Sequence, residues 1–362
     1  MLEGIKIIDF SNYLPGPFAA MRLGDLGAEI IKIESPSGDP ARRVEKAIYL
    51  ANNRNKKSVV LNLKEEAARE SALKLISEAD VVIESFRPGV MKRLGLDYDT
   101  VKRVKPDIIY CSISGYGQSG TFSILGSHDL NYMALSGVLS QLKDKEGKPV
   151  HPTMTFADLI GSLAANESIL AALIARQKTG EGCFLDLSLT DALTAFMANH
   201  LVIEKMSGYE HGVKALSGEI ISYCLYETKD GRYMSLAALE LNFWKNFCAA
   251  VNKEEWVSAH TSKTTDDNEV YEDIVKLFQS RTFQEWTAFS EKIDCCMAPV
   301  LETSELAENC YMKEREMVTE KWGLPFVKTQ VKPTLEEASK PPKKGEHTAE
   351  VLAGHPMMFS NK

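Results

Sequence analysis

Short apolar runs alternate with helical patterns along the first half of the chain. Runs rich in β-branched residues occupy positions 5–10, 29–34, 58–63, 80–86 and 107–113. Between two of them, over 64–79, the apolar residues Ala68, Ala72, Leu75 and Ile76 recur at helical spacing. Strands that alternate with crossover helices predict an α/β domain built on a doubly wound, mostly parallel sheet of the Rossmann-like type.

The second half begins with two long helical patterns and then changes character. Helices are predicted at 157–178 and 190–206, with a strand at 183–189 between them. Near position 215 the pattern turns to two β-rich runs that flank Asp230-Gly231, which predicts a hairpin. Three helices and a strand follow at 241–251, 268–280, 282–292 and 296–301. This order predicts a second, smaller α/β unit.

Length and composition agree with two globular domains. A chain of 362 residues exceeds the size at which one hydrophobic core stops growing. The apolar share of 44% and the charged share of 25% are ordinary for globular proteins, which argues against disorder. The chain starts directly in a predicted strand, so we expect no signal peptide. The most apolar stretch contains Ser162, Asn166 and Glu167, so we expect a buried helix and no membrane span there.

Cysteine usage and net charge narrow the function classes. Seven cysteines without a Cys-x-x-Cys pair predict reduced thiols in a cytoplasm. No cluster of Cys and His has metal-ligand spacing, so we expect no metal site. The net charge of −8 argues against a nucleic acid or an anionic membrane as the main partner. An anionic small molecule remains compatible with this charge, because a local basic cluster can hold one.

A series of short motifs follows the chain in a fixed order. They are Tyr13-Leu14-Pro15-Gly16-Pro17, Leu23-Gly24-Asp25-Leu26-Gly27-Ala28, Arg54-Asn55-Lys56-Lys57-Ser58, Phe86-Arg87-Pro88-Gly89, Gly115-Tyr116-Gly117-Gln118 and Gly345-Glu346-His347-Thr348. Each string alone is weakly specific. Together, and in this order, they resemble the family III coenzyme A transferases, the CaiB/BaiF family, which also contains the α-methylacyl-CoA racemases. The resemblance covers nearly the whole chain.

The resemblance implies an enzyme that acts on acyl-CoA thioesters as an interlocked homodimer. It implies no prosthetic group, because coenzyme A arrives as part of the substrate. The large, coenzyme A-binding domain would contain both chain ends, residues 1–188 and 326–362. A linker helix at 189–218 would lead to a small α/β domain at 219–325.

Coenzyme A carries phosphates and an adenine, so its site must supply cations and backbone donors. The resemblance assigns its binding to Arg54, Lys56, Phe86, Arg87, Arg93, Leu125, Gly126 and Tyr132. Many relatives carry an Arg directly after the second strand, where this chain has Ser35 and Pro36. Arg42 or Arg43 is the candidate replacement for that phosphate contact. The alternative explanation for each single cation is a solvated surface charge.

The segment from Gly126 to Ser140 resembles the racemase branch, and this resemblance makes His128 and Asp158 the catalytic acid and base. Glu240 matches an acidic residue that supports the His. Inverting a stereocentre beside a thioester carbonyl removes a proton from one face and returns one to the other, so two groups are needed. Imidazole and carboxylate suit this task. The start of the helix after Asp158 is a candidate source of N–H donors for the enolate oxygen.

Transferases of the same family offer an alternative. There the Asp at the Asp158 position attacks the thioester and forms a mixed anhydride and then an enzyme–CoA thioester. Such enzymes generally lack the His, and many carry a run of glycines that this chain lacks. The racemase branch often has Asp-Gly-Gly-Ala-Pro where this chain reads Ser217-Gly218-Glu219-Ile220-Ile221, which implies a differently shaped acyl pocket. We favour the racemase.

A structural interpretation of the same residues is also open. Without the family, His128 is a structural residue and Asp158 an N-terminal helix cap. A nucleotide-binding scaffold protein would need neither residue for chemistry. His347 lies in a family motif, and we predict a structural role for it.

Overall fold

The computed structural model describes residues 1–144, 146–265, 267–329 and 338–353. The chain divides into two compact units, a larger one formed by Met1–Met197 with Glu314–Lys362 and a smaller one formed by Ala198–Lys313. The predicted linker 189–218 is divided between the units, with 189–197 in the larger and 198–218 in the smaller, and residues 314–325, predicted for the small domain, belong to the larger unit. Within the predicted range 326–362, residues 330–337 and 354–362 lie outside the described residues.

A parallel sheet forms the centre of the larger unit and confirms the predicted fold class. In the described residues it has six strands in the order β3-β2-β1-β4-β5-β6, with every neighbouring pair parallel. The strands are β1 Lys6–Asp9, β2 Glu29–Glu34, β3 Lys56–Val60, β4 Val81–Glu84, β5 Ile109–Ser114 and β6 Cys183–Ser188. The strand order reverses between β1 and β4, as it does in doubly wound nucleotide-binding folds.

Helices cover both faces of this sheet. They are α1 Pro15–Asp25, α2 Ala41–Val44, α3 Lys46–Asn52, α4 Glu66–Ser77, α5 Val90–Leu94, α6 Tyr98–Val104, α7 Asp129–Leu135, α8 Phe156–Thr179 and α9 Leu189–Ala195. Successive strand residues point to opposite faces, so Ile7 packs in one core with α1 and α8 while Ile8 packs in the other with α4. Burial on both faces explains the nearly continuous apolar runs of the sequence.

Helix α8 is the one described helix that is long and apolar enough to cross a membrane by length and composition. Its inner face packs into the core of the larger unit through Ala165, Ile169 and Leu173. A core helix passes the same length and composition test, so this is weak grounds for a membrane span.

Two local features differ from the sequence prediction. The helix predicted at 190–206 is interrupted, because the amides of Phe196 and Met197 bond carbonyls three residues back and close α9 with a tight turn. The second feature is an unpredicted hairpin, β10 Val318–Lys321 and β11 Leu324–Val327, joined by Trp322-Gly323. Both turn residues have positive φ, 54° and 73°, as a two-residue hairpin turn requires. The helix α15, Thr348–Ala353, then packs beside β3.

The smaller unit is built around an antiparallel sheet of three strands in the described residues, β7 Tyr223–Glu227, β8 Tyr233–Ala237 and β9 Met297–Pro299. The predicted hairpin is β7–β8. The helices are α10 Ala198–Ser207, α11 Leu241–Ala250, α12 Glu269–Gln279, α13 Phe283–Ser290 and α14 Cys310–Glu314, the last ending at the unit boundary. Trp244, Phe278 and Trp286 are fully buried in its core.

Candidate active site

A cavity of about 680 Å³ lies at the carboxyl ends of β1, β4 and β5 in the larger unit. The loops that follow these strands line it with residues 12–15, 85–88 and 113–116, and α7 and α8 close its other side. The position coincides with the reversal of strand order between β1 and β4. Open α/β sheets bind their ligands at this place, outside the strand ends.

The loop after β1 is held in the cavity wall by buried charged groups. Lys32 Nζ donates to the carbonyl of Ser11 at 2.6 Å and forms an ion pair with Asp39 at 3.0 Å. Asp39 in turn accepts the backbone N–H of Tyr13 at 3.2 Å. Tyr13 has φ of 63°, a left-handed conformation that costs energy for a residue other than Gly. The buried ion pair therefore fixes a strained loop at the cavity.

Buried hydrogen bonds to a charged side chain also fix the loop after β4. Glu84 accepts the backbone N–H of Phe86 at 2.7 Å, and Ser112 donates its hydroxyl to the same carboxyl group. Burial raises the pKa of Glu84 to about 7. Gln118 donates to Ser112 at 2.8 Å, which ties the loop after β5 to the same network.

Asp158 lies in the first turn of α8 and lines the cavity. Burial, and then the negative charge of Asp129, raise the pKa of Asp158 to about 7. One turn further, Ser162 donates its hydroxyl to the carbonyl of Pro15 at 2.6 Å, which ties α8 to the start of α1. The carboxyl group of Asp158 can therefore carry or release a proton near neutral pH on a rigid helix.

His128 lies directly before α7, on the same cavity wall. Its backbone N–H donates to the Asn131 side chain at 3.0 Å, so the residue sits at the N-terminus of the helix with an exposed ring. Tyr132, one turn on, packs against Gly115, where a Cβ would come within 2.4 Å of the Tyr132 ring. The structure thus brings two of the three predicted catalytic residues to one cavity.

Glu240, the third, lies in the smaller unit. It is exposed and precedes α11, and its backbone carbonyl accepts the N–H of Phe243 at 3.1 Å. Its support of His128 stays a prediction.

The predicted coenzyme A contacts fall into two groups. Phe86, Arg87, Leu125 and Tyr132 line the cavity, and Gly126 lies against Arg87, where a Cβ would come within 3.0 Å of the guanidinium. Arg93 is exposed on α5, outside the cavity lining. Within the described part of the chain, Arg87 has no carboxylate partner, so its charge is available to a ligand.

Arg54 and Lys56 do not fit the predicted phosphate contacts. Arg54 is 2% exposed and forms a bidentate pair with Asp25, at 2.9 and 2.6 Å. Lys56 is buried and donates to Asp9 and to the carbonyl of Pro17, each at 2.9 Å. Both cations are already paired inside the protein, where they hold α1 against the sheet, so the prediction is corrected for these two.

The candidate replacements for the missing Arg also differ from one another. Arg42 is bonded to Glu34 at 2.8 and 2.7 Å and its guanidinium lies 3.7 Å above the Tyr49 ring. Arg43 is exposed and donates to the carbonyl of Ser37. Arg42 therefore serves the fold, and Arg43 remains the candidate for a phosphate contact.

The paired Lys56 leads to a stability prediction. We expect Lys56→Met to lower the free energy of unfolding by about 3–5 kcal/mol, because the buried Asp9 carboxylate would lose its partner. The neighbouring Lys57 is the matched control, since it pairs with Glu29 and Glu350 at the surface. Lys57→Met should cost at most ~1 kcal/mol. Urea denaturation measures both, and equal losses would contradict the assignment.

Asp129 is the site residue that sequence reasoning missed. It accepts the backbone N–H of Asp158, although the two residues are 29 positions apart. No local pattern links such positions. The available signal was its place inside the Gly126–Ser140 segment, directly after His128.

Comparison with known proteins places this geometry in a family. The sequence profile of "CoA-transferase family III" matches residues 2–348. The human protein named alpha-methylacyl-CoA racemase is 32% identical, with 97% of this chain and 92% of the relative aligned. The mouse succinyl-CoA:glutarate CoA-transferase is 31% identical, over 97% of this chain and 85% of the relative.

Solved structures agree with the sequence relatives. A crystal structure of a CaiB/BaiF family protein from Brucella suis superposes with a TM-score of 0.85 at 27% identity, covering 98% of each chain. Relatives named for racemisation and for CoA transfer occur at nearly the same identity, and both kinds act on CoA thioesters. The chain belongs to CoA-transferase family III.

Proposed function

We propose that the protein racemises or epimerises 2-methylacyl-CoA thioesters by 1,1-proton transfer. The observation that carries the proposal is that His128 and Asp158 line one cavity at the switch point of the sheet. Proton transfer to and from one carbon needs two groups within reach of it, one to accept and one to donate. A scaffold that only binds nucleotides has no use for such a pair.

The protonation behaviour of Asp158 supports this chemistry. With a pKa of about 7, its carboxyl group is present in both forms near neutral pH. It can then accept the α-proton in one direction and donate it in the other. Imidazole is the side chain best suited to the opposite role at this pH. A site with one carboxyl group and one imidazole that can each accept or donate the proton can work in both directions.

The developing enolate needs hydrogen-bond donors, and α7 is a better source than α8. The backbone N–H of Asp158 already donates to Asp129, so the start of α8 is occupied. In the first turn of α7 the N–H of Asn131 donates to the carbonyl of His128 at 2.8 Å, which leaves the N–H groups of Asp129 and Leu130 as the candidate donors. They follow His128 directly, on the cavity wall. We assign the enolate oxygen to these donors.

Arg87 gives a prediction about coenzyme A. We expect Arg87→Gln to raise KM for an acyl-CoA about fivefold, because an exposed charge contact with phosphate is lost. KM for the matching pantetheine thioester, which lacks the nucleotide, should stay unchanged. Arg103→Gln, an exposed cation on α6 outside the cavity, is the control. An equal rise for both thioesters would show that Arg87 does not contact the nucleotide.

The alternative activity is CoA transfer between carboxylic acids. The half-buried Asp158 carboxyl group in the cavity supports it, because a transferase of this family needs a nucleophile there. To separate the two, a single enantiomer of a 2-methylacyl-CoA is incubated with the enzyme. A racemase converts it to the mixture of enantiomers with no acceptor present. A transferase leaves the configuration unchanged and moves coenzyme A to an added carboxylic acid.

We further propose that the protein acts as a homodimer. The larger unit exposes apolar side chains that a second copy would cover, including Ile124 at 78%, Ile174 of α8 at 57% and Leu135 of α7 at 53%. Sedimentation equilibrium should give twice the mass of one chain, and a monomer at working concentration would reject the proposal.

A further inference from the structure

The first turn of α8 is capped by a residue from another helix. Its own N-cap residue, Thr155, makes no side-chain hydrogen bond to the helix. Instead the carboxylate of Asp129, in the first turn of α7, accepts the backbone N–H of Asp158 at 2.9 Å and also bonds the N–H of Ala157. A carboxylate is the group that best satisfies these free amides, since it also meets the positive end of the helix dipole.

We propose that Asp129 is a positioning residue for Asp158, which fixes the helix turn that carries Asp158 and holds a negative charge beside it. The proposal rests on the role of Asp158 as a proton carrier in the proposed function. Asp129 follows His128 directly in the chain. One bond therefore links the backbone at His128 to the helix of Asp158 and fixes the spacing between the two groups.

The two carboxyl groups have different surroundings, and this decides which of them keeps a proton. Burial raises the pKa of both. The two amide bonds lower the pKa of Asp129 and so favour its anion, whereas the negative charge of Asp129 raises the pKa of Asp158 further. On balance burial leaves the pKa of Asp129 above the ordinary aspartate value and the amide bonds limit that rise, whereas Asp158 titrates near neutral pH. Paired carboxyl groups in acid–base sites are commonly separated in this way.

Other charged or titratable side chains also face the cavity. They are Tyr13, Glu45, Arg87, Tyr116, His128 and Tyr132. Among the described residues on this wall, Asp129 is the charged side chain that bonds the α8 backbone. Its charge is therefore the one whose removal should change the titration of Asp158 most.

The consequence for catalysis concerns the pH dependence of turnover. Proton transfer in either direction needs one carrier protonated and the other unprotonated. A lower pKa would leave Asp158 ionised at neutral pH, so we expect Asp129→Asn to move the optimum of turnover to lower pH for both enantiomers. Loss of helix stability alone would lower the rate without moving the optimum.

The test uses the resting enzyme, so its outcome does not depend on which reaction the protein catalyses. The full chain is produced with aspartate labelled with ¹³C at the side-chain carboxyl, and Asp158 is assigned by the signal lost in Asp158→Asn. In Asp129→Asn, which keeps an oxygen acceptor for the helix amides, the Asp158 midpoint should fall by about one pH unit. Asp129→Glu keeps the charge and should stay closer to the original midpoint.

Asp191→Asn is the matched control, because Asp191 is an exposed first-turn carboxylate of α9 that does not line the cavity. It removes the same charge and should leave the Asp158 midpoint unchanged. An unchanged midpoint in a folded Asp129→Asn protein would overturn the proposal. If Asp129→Asn does not fold, Asp129→Glu decides the question. A fall of about one pH unit in its Asp158 midpoint would also overturn the proposal. If the midpoint shifts but the enzyme proves to be a transferase, the positioning role of Asp129 stands and the proposed racemase function fails.

Discussion

His128→Ala is expected to slow exchange of the α-proton of a 2-methylacyl-CoA by about two to four orders of magnitude for at least one enantiomer. In the proposed mechanism the variant loses one of the two proton carriers on the cavity wall, while Asp158, the other carrier, remains. Exchange is measured in heavy water for each enantiomer separately. A loss confined to one enantiomer identifies the face that His128 serves.

The control for His128 is His151→Ala, since His151 is exposed and lies outside the cavity lining. It should exchange at the original rate. Binding of a non-reactive acyl-CoA by His128→Ala should change little, because in the proposed mechanism the ring acts in the proton transfer step. Full exchange activity of a folded His128→Ala protein for both enantiomers would remove His128 from the mechanism.

Asp158→Asn is expected to abolish turnover, because an amide neither carries the proton nor attacks a thioester. In the wild-type enzyme each direction needs one carrier protonated and the other unprotonated, so the rate from either enantiomer should fall on both sides of an optimum near pH 7, where Asp158 titrates. The two enantiomers should give the same pH profile of kcat/KM, because their free energies are nearly equal. Initial rates from each pure enantiomer between pH 5 and 9 measure both limbs.

Trapping separates proton transfer from covalent catalysis at Asp158. A racemase forms no bond to this residue, so hydroxylamine or borohydride added during turnover should leave it unmodified. A transferase passes through an acyl anhydride and a CoA thioester at the same carboxyl group. Mass spectrometry of the peptide that carries Asp158 distinguishes the two. A modified Asp158 in the presence of acyl-CoA would favour the transferase.

The fold could be predicted because each face of the sheet is buried. Ile7 and Ile8 point to opposite faces and are both buried, so the strand appears in the sequence as a continuous apolar run. Helices between such strands are crossover connections, and these connect parallel strands. Features set by single backbone angles escaped prediction. The turn of the β10–β11 hairpin places Trp322 at positive φ, and a tryptophan is no signal for such a conformation.

Site residues could be predicted only where a residue in a family motif also lies in the cavity, as the motif implies. His128, Asp158 and Arg87 were found through the family motifs, and the structure places them on one cavity. Arg54 and Lys56 lie in equally strong motifs, but their partners Asp25 and Asp9 are 29 and 47 positions away. A sequence does not reveal which cations are already paired.

The central claim is that this enzyme moves a proton on and off the α-carbon, and isotope incorporation tests it most directly. A single enantiomer of a 2-methylacyl-CoA is incubated with wild-type enzyme in heavy water, and the α-carbon is followed by NMR. The proposed mechanism predicts deuterium at the α-carbon together with the appearance of the other enantiomer. Absence of α-deuterium, with coenzyme A transferred to an added carboxylic acid, would contradict it.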